Sequence, residues 1–326
     1  MSNSIKKIGI ALLILLLSAA VSSSAAVKHP PPNGQPNVQP NGYLVSKKIE
    51  SKTKTYKVYS IVYTSTGLKV RGKLVMPAKA CANRKKCKPL PGVVFNHGGV
   101  DGVPKPLMMR AAQLAELGYI VLAPSYRGED GSEGEIEVAA GEVDDALNAV
   151  AVLRALPEAD PKRIAMVGTS HGGIITLLAI ERDHSLSAAV CAYGVTNTFT
   201  WYKYLIESGQ DVTDPLSLKV YGRGPEDKPE AFRSRAPALD AYKISTPLLM
   251  LYGEKDATVP PSQGSEFAAA LDESRIPYTF KIVPDVGHGL LFFTDPARRS
   301  ALEIKRSTEA WNTLTAFLAR HLKGAR

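Results

Sequence analysis

The stretch Arg163-Ile-Ala-Met-Val-Gly-Thr-Ser-His-Gly-Gly-Ile-Ile-Thr176 decides how the rest of the chain is interpreted. An apolar run before Gly168 predicts a buried strand, and a second run, of helical length, follows Gly172. A G-x-S-x-G pattern between a strand and a helix is typical of a sharp, strained turn that exposes its serine, with glycines avoiding collisions across the turn. The pattern predicts Ser170 as a nucleophile, and the amide of His171 as a donor to a developing oxyanion.

Apolar strands and helical segments alternate from Gly92 onward, which predicts an α/β protein with a mostly parallel sheet covered by helices on both faces. A β-hairpin is predicted before this region. The predicted strands are Tyr56–Thr64, Leu68–Met76, Val93–Phe95, Ile120–Ala123, Ile164–Val167, Ala188–Tyr193, Leu248–Tyr252 and Tyr278–Val283. The predicted helices are Leu107–Leu117, Val138–Leu156, Ile174–Ile180, Ser262–Leu271 and Ala301–Leu322.

One interval, residues 195–244, is too long for an ordinary connection between two strands. It holds Phe199, Trp201, Tyr202 and Tyr204, followed by proline-containing loops. We interpret it as a small cap-like insertion over the carboxyl ends of the strands, where open α/β sheets bind ligands.

The N-terminus has the layout of an export signal. Two lysines precede the apolar run Ile8–Leu17, and small residues follow as far as Ala26. We expect residues 1–26 to be a signal peptide, cleaved near Ala26 or near Ala20, and the alternative is an uncleaved N-terminal anchor. Residues 27–45 are rich in Pro, Asn and Gly and predict a disordered linker, with the α/β domain at 46–326. The chain is thus expected to be periplasmic or secreted, without stable membrane insertion after cleavage.

The net charge and the cysteines indicate which partners and which bonds to expect. The net charge is +9, but aromatic residues are not interleaved with the basic ones, so we do not expect a nucleic acid partner. Cys81 and Cys87 lie in a polar segment and predict a small disulfide in an exported protein. Two thiols without a nearby His or third Cys make a poor zinc site, so no metal is expected. Cys191 lies in an apolar run and is expected to be a buried thiol.

A serine nucleophile needs a base, and the base needs an orienting acid. Among the six histidines, His288 lies between two glycines directly after the last predicted strand, which makes it the candidate base. Asp256 follows the preceding strand and is the candidate acid, with Glu254 and Asp285 as rivals. The ring of His171, next to the nucleophile, is expected to point away from it.

A second oxyanion donor is expected from the loop after an earlier strand. The segment His97-Gly98-Gly99 leaves the Val93 strand and enters a Gly-rich loop. Glycines let backbone amides face a substrate, so Gly99 is the candidate donor, with Gly98 next. His97 is expected to brace this loop.

These pieces together resemble the catalytic domain of the prolyl oligopeptidase family, within the α/β-hydrolases. The resemblance covers about Gly92 to Leu322. It rests on His97-Gly98-Gly99, Ser125-Tyr126-Arg127-Gly128, Gly168-Thr169-Ser170-His171-Gly172-Gly173, Thr246-Pro247-Leu248-Leu249, Gly253-Glu254-Lys255-Asp256 with Val259-Pro260, and Gly287-His288-Gly289. The segments are also similar to those of dienelactone-hydrolase-like esterases.

The resemblance implies a serine-type peptidase that forms an acyl-serine intermediate and needs no cofactor. The chain departs from the family in two places. The region from Gly42 to Leu90 is too short for the β-propeller of the large peptidases, which favours a carboxylesterase on small acyl esters as the alternative. The acidic run from Glu129 to Glu135 replaces small and aromatic residues, and we interpret it mainly as a solvated loop.

Two apolar clusters are expected to flank Ser170 and to form a pocket for a modest apolar or aromatic group of a small peptide or ester. The candidate substrate-binding residues are Trp201, Phe199, Tyr202 and Phe292. A non-catalytic binding protein on a hydrolase scaffold is the remaining alternative, and the complete set of Ser170, Asp256 and His288 argues against it.

Overall fold

The structure, a computed structural model, describes residues 39–83, 85–292 and 299–323. The predicted signal peptide and most of the predicted linker lie outside the described residues. Within them, the chain forms one nine-stranded sheet with helices on both faces. The strands are β1 (Leu44–Lys52), β2 (Tyr56–Ser65), β3 (Leu68–Pro77), β4 (Leu90–Asn96), β5 (Ile120–Pro124), β6 (Ala159–Thr169), β7 (Ala188–Ala192), β8 (Leu248–Gly253) and β9 (Tyr278–Val283).

The helices fall between the strands and in one insertion. They are α1 (Lys105–Glu116), α2 (Gly141–Ala155), α3 (His171–Ile180), α4 (Thr198–Glu207), α5 (Pro215–Tyr221), α6 (Pro229–Arg233), α7 (Pro261–Glu273) and α8 (Ala301–Lys323). A 3₁₀ helix, kinked at Asp240, covers Pro237–Lys243. No helix among the described residues combines enough length with enough apolar side chains to cross a bilayer.

The strand order is β1-β2-β3-β5-β4-β6-β7-β8-β9. The first three strands form an antiparallel meander that joins β5 through β3, and all pairs from β5 to β9 are parallel. The central strands are buried along their whole length because helices cover both faces. Their carboxyl ends lie at one edge of the sheet, so the loops after β4, β6, β8 and β9 meet there.

Three local predictions need correction. The predicted linker ends too late, since β1 begins at Leu44, and the sequence reading missed β1 altogether. The helix predicted from Val138 begins at Gly141, because Val138 and Ala139 adopt left-handed backbone conformations. The predicted insertion, by contrast, contains helices α4 to α6. Cys81 and Cys87 form a disulfide with their Cα atoms 6.2 Å apart, and Cys191 is a buried thiol.

Candidate active site

Ser170 stands between β6 and α3 in a conformation that few side chains tolerate. Its backbone has φ 52° and ψ −119°, outside the regions favoured by residues with a Cβ. Two hydrogen bonds fix it there. The Ser170 N–H donates to the Ala192 carbonyl oxygen (3.0 Å), and the Ser170 carbonyl oxygen accepts from the Gly173 N–H (2.8 Å). The strain is therefore held by the sheet on one side and by the helix on the other.

The glycines of this turn are required by close packing, which confirms the steric argument from the motif. A Cβ on Gly172 would lie 2.5 Å from the His97 carbonyl oxygen, and one on Gly168 would collide with the Gly172 carbonyl group. A Cβ on Gly98 would lie 2.9 Å from the Ser170 Cβ. The loop after β4 thus packs directly on the nucleophile turn.

The structure brings Ser170, His288 and Asp256 into one hydrogen-bonded series. The His288 Nε2 lies 3.0 Å from the Ser170 Oγ, and its Nδ1 lies 2.8 Å from the Asp256 Oδ2. The Asp256 side chain is fully buried, and its Oδ1 accepts the N–H groups of Thr258 and Val259, each at 2.9 Å. These two amides orient the carboxylate and stabilise its charge, so the imidazole is held with one nitrogen toward the serine.

The two rival acids have other partners. The Glu254 carboxylate accepts the N–H of Asp285 (3.0 Å), and the Asp285 carboxylate forms an ion pair with Lys255 (3.0 Å). Both pairs are exposed in part. They connect the loop after β8 with the loop after β9 and leave the Nδ1 of His288 to Asp256.

The loop that carries His288 is anchored by groups that the sequence did not reveal. Arg110 on α1 donates from its Nε to the Leu291 carbonyl oxygen (2.7 Å), and its guanidinium lies 4.5 Å from the centre of the Trp311 ring. Burial lowers the pKa of Arg110. The ring of Tyr193 stands edge-on to the His288 ring, 4.8 Å between centroids. The imidazole is therefore fixed from both its loop and its face.

Gly99 and His171, the predicted oxyanion donors, line the cavity beside Ser170. As the first residue of α3, His171 has an amide without an intrahelical acceptor. Its ring bonds to the loop after β4, whereas the Ser170 Oγ lies beside the ring of His288. The His171 Nδ1 lies 2.9 Å from the Gly99 carbonyl oxygen, so that nitrogen carries the proton. Burial lowers the pKa of His171, which favours the neutral imidazole and keeps the two backbone segments linked.

Glu129 corrects the interpretation of the acidic run as solvated. It is 4% exposed, and its Oε2 accepts the Gly102 N–H (2.7 Å) and lies 3.2 Å from the Nε2 of His97. The carboxylate thus fixes the loop that contains Gly99, together with His97 as predicted. Glu133 and Glu135, by contrast, are exposed.

A cavity of about 210 Å³ opens beside Ser170. Its walls are mainly aliphatic and aromatic, and no Asp, Glu, Lys or Arg belongs to them among the described residues. The lining residues include Val138, Ala139, Ile174, Val195, Thr198, Trp201, Leu216, Tyr221 and Val259. Such a cavity suits an uncharged group of modest size.

Only one of the four predicted substrate-binding residues reaches this cavity. Trp201 lines it and donates from Nε1 to the Thr258 carbonyl oxygen (2.9 Å). Phe199 and Tyr202 pack instead around Phe232 of α6, at 5.5 and 5.2 Å between ring centroids. Phe292 packs on Phe95 in the core, 6.2 Å away.

Helical spacing explains this division. Thr198 and Trp201 are three residues apart on α4 and share the face toward the cavity. Phe199 and Tyr202 have the same spacing on the neighbouring face, which covers α6. The spacing was visible in the sequence, but it did not say which face would meet Ser170.

A second wall of the cavity contains Val138 and Ala139, which have φ 54° and 57°. Two consecutive left-handed residues with side chains are strained. The buried Glu142 carboxylate accepts the N–H groups of residues 137, 138 and 140, at 2.6, 2.9 and 3.0 Å. Arg235 of the insertion donates to the carbonyl oxygens of Glu137 and Val138. One buried carboxylate and one guanidinium therefore hold this turn.

A serine, a histidine and a buried aspartate in one hydrogen-bonded series, at the carboxyl edge of a mostly parallel α/β sheet, form the arrangement typical of a serine hydrolase of the α/β-hydrolase fold. Residues 107–325 match the model of the prolyl oligopeptidase family. The chain belongs to that family.

Two relatives and one solved structure show which proteins the chain is similar to. It is 32% identical over 214 residues to the uncharacterized peptidase YtmA of Bacillus subtilis, covering 65% of this chain and 79% of the relative. It is 31% identical over 223 residues to an acylamino-acid-releasing enzyme of Arabidopsis thaliana, covering 63% of this chain but 28% of the relative. In fold it resembles the acylaminoacyl peptidase of Pyrococcus horikoshii (TM-score 0.68, 23% identity, 84% of this chain and 43% of the other). The chain thus spans less than half of the last two proteins.

Proposed function

We propose that this chain is an exported serine hydrolase that cleaves short peptides next to an uncharged, apolar group. The observation that carries the proposal is the hydrogen-bonded series from Asp256 through His288 to Ser170, beside an apolar cavity. The family supports peptides as substrates.

In the proposed reaction, the Ser170 Oγ attacks the scissile carbonyl carbon while its proton passes to the His288 Nε2. Asp256 holds the Nδ1–H of the imidazole and stabilises the imidazolium. The amides of His171 and Gly99 donate to the oxyanion. The imidazolium then protonates the leaving amine, and a water molecule, deprotonated by His288, releases the acyl group from Ser170.

The cavity limits the group next to the scissile carbonyl. Ligand sites for larger molecules occupy roughly 300–1,000 Å³, so about 210 Å³ fits one side chain or one short acyl group. A charged side chain would lose water there without gaining an ionic partner. Peptides with an aliphatic or aromatic residue at this position, including N-acylated ones of the kind named for the Arabidopsis relative, are the substrates we propose.

A carboxylesterase on small acyl esters is the second candidate. It is favoured by the apolar lining and small volume of the same cavity, which suit a short acyl chain as well as a side chain. The same nucleophile, base and oxyanion donors serve both reactions.

The catalytic assignment is tested by replacing Ser170 and His288. We expect Ser170→Ala and His288→Ala each to lower turnover at least about 10³-fold, because each removes one member of a unit that acts together. Circular dichroism checks folding, and His184→Ala, in an exposed loop, serves as the matched control. Wild-type labelling by a fluorophosphonate probe, lost in Ser170→Ala, would distinguish an enzyme from a binding protein. Normal turnover in folded Ser170→Ala would overturn the assignment.

The substrate class needs a separate measurement. The kcat/KM values for p-nitrophenyl acetate and butyrate are compared with those for N-acetyl-alanine and N-acetyl-phenylalanine p-nitroanilides. Efficient cleavage of the anilides supports the peptidase. Cleavage of esters alone, with intact labelling of Ser170, would assign the carboxylesterase instead.

Export is also part of the proposal. The charge and apolar pattern of residues 1–26 supports it, as does the Cys81–Cys87 disulfide, since such bonds persist mainly in oxidising compartments. We expect mass spectrometry of the exported protein to find an N-terminus near Val27 and a linked Cys81–Cys87 peptide. Free thiols at both cysteines would contradict the bridge, and recovery of the protein only inside the cell would contradict export.

A further inference from the structure

The positive charge of the chain is concentrated in one segment. Between residues 43 and 88 the sequence has thirteen Lys or Arg and a single acid, Glu50. From residue 89 to the C-terminus, 24 Lys or Arg stand against 30 Asp or Glu. Charge of opposite sign in two parts of one chain points to a partner of negative charge for the basic part.

The fold places seven of these thirteen cations at one end of the sheet. The β1–β2 hairpin carries Lys52, Lys54 and Lys57 around its tip, and Lys52 is directly opposite Lys57 in the strand register. Like charges at opposed positions destabilise a hairpin. None of the three forms an ion pair within the part of the chain that the structure describes. The hairpin therefore retains a local repulsion that an external anion would relieve.

The disulfide loop adds to the same region. The Ala78 N–H donates to the Thr55 carbonyl oxygen (2.8 Å), which sets the loop after β3 beside the hairpin tip. The Cys81–Cys87 bond closes this loop. We call the lysines of the hairpin tip and the loop the basic end. It consists of Lys52, Lys54, Lys57, Lys79, Lys85, Lys86 and Lys88.

Two exposed aliphatic side chains accompany the basic end. Ile49 on β1 is 58% exposed, and Leu117, after α1, is 49% exposed. The Thr55 hydroxyl donates to the Glu116 carboxylate (2.9 Å), which brings the end of α1 beside the hairpin tip. Glu116 thus lies beside the hairpin tip, and Glu158, whose backbone carbonyl oxygen accepts the Leu90 N–H (2.8 Å), lies beside the end of the disulfide loop. Lysines around exposed aliphatic groups suit the headgroup region of a bilayer.

We propose that the basic end is a docking surface for a bilayer rich in anionic phospholipids. The exposed aromatic residues among those described are Tyr43 and Tyr242, and neither belongs to the basic end, so it offers no stacking surface for nucleic acid bases. The basic end lies at the amino ends of β4 and β6, opposite the edge that carries Ser170. A docked molecule therefore presents its active site to the medium. This inference does not depend on the proposed function.

The test measures binding of the full chain to vesicles of phosphatidylglycerol and phosphatidylcholine (1:1) and of phosphatidylcholine alone. The wild type and all variants are prepared with the same N-terminal residue, so that the N-terminal segment contributes equally to every measurement. We expect binding to the anionic vesicles only, weakened by salt. Each lysine near an anionic surface contributes about fivefold in affinity, so Lys52→Gln/Lys54→Gln/Lys57→Gln should bind about 100-fold more weakly. Activity on a soluble ester should be the same with and without vesicles.

A matched variant, Lys203→Gln/Lys281→Gln/Lys305→Gln, lowers the net charge equally with exposed lysines outside the basic end. It should keep wild-type binding, and Ile49→Ser/Leu117→Ser should weaken binding without changing its salt dependence. Equal losses in both lysine variants would show that net charge alone acts. Equal binding to both kinds of vesicle would also overturn the assignment. So would displacement from anionic vesicles by a duplex DNA or a sulfated polysaccharide at a charge concentration below that of the anionic lipid.

Discussion

The two walls of the cavity beside Ser170 are built in different ways. On the Ser170 wall, the backbone is compressed, and glycines are present because no Cβ fits. On the Val138–Ala139 wall, the backbone is strained although side chains are present, and the buried Glu142 carboxylate and Arg235 hold it. The first wall is determined by contacts between neighbouring segments, and the second by buried charge.

This difference decides how each wall responds to change. Where two backbones are in close contact, there is no space for an added methyl group, and one of the backbones must move. Hydrogen bonds from one carboxylate can be weakened in steps. We therefore expect abrupt loss at the first wall and graded loss at the second.

The largest effect is expected for Gly172→Ala. The added Cβ would lie 2.5 Å from the His97 carbonyl oxygen and would also meet the Asn96 carbonyl group. The nucleophile turn must then move away from the loop after β4. We expect a loss of more than about 3 kcal/mol in the free energy of unfolding, and turnover at least about 100-fold lower, because a shift of about 1 Å has that effect. Thermal melts and ester kinetics measure both.

Gly209→Ala is the matched control for Gly172→Ala. Gly209 has a left-handed conformation (φ 69°), which Gly172 does not, but nothing lies within 4 Å of an added Cβ. It should cost only about 1 kcal/mol and leave turnover unchanged. If the two variants behaved alike, close approach would not be what fixes the nucleophile turn.

The second wall is tested by Glu142→Gln. The amide has one oxygen where the carboxylate has two, so at least one of the three N–H groups of the turn loses its acceptor, at a cost of about 1–3 kcal/mol. We expect kcat/KM to fall about tenfold for substrates that fill the cavity. Labelling of Ser170 by a small fluorophosphonate should continue at the wild-type rate. Glu273→Gln, on the exposed end of α7, is the control, and an equal fall in labelling would place the damage at Ser170 instead.

Much of the first wall could be predicted because its causes are local. The Gly168-Thr169-Ser170-His171-Gly172 turn, the strands around it and the order of Ser170, Asp256 and His288 follow from short-range sterics and from the rule that parallel strands end at one edge. The family resemblance and the fold were confirmed on that basis. Chain order predicts an orienting acid between Ser170 and His288, but it leaves Glu254 and Asp285 as rivals to Asp256.

The second wall could not be predicted because its causes are distant in sequence. The helical pattern of residues 138–156 conceals a turn that depends on Arg235, almost a hundred residues later. From the sequence, Glu129 is expected to be an exposed loop carboxylate. The structure shows it buried against Gly102 and His97. Strand β1 is rich in lysine and lies exposed at the edge of the sheet. It lacks the apolar alternation from which strands are predicted.

The smallest effect is expected for Trp201→Ala. It is measured by comparing kcat/KM for substrates whose acyl groups differ in size. Trp201 lines the cavity together with both walls, and its Nε1 donates to the carbonyl oxygen of Thr258, two residues after Asp256. Removing the ring enlarges the cavity and takes contacts from groups that fill it, at roughly 1–3 kcal/mol per methylene of mismatch. We expect kcat/KM to fall about fivefold for butyryl or phenylalanyl substrates, the effect of about 1 kcal/mol, and less than twofold for acetyl esters. Phe199→Ala is the matched control, because Phe199 lies on the same helix but packs on Phe232. It should lower the melting temperature and reduce activity evenly across substrates. Both variants are assayed well below their melting temperatures, and an even loss for Trp201→Ala would mean that the indole supports the insertion without contacting the substrate.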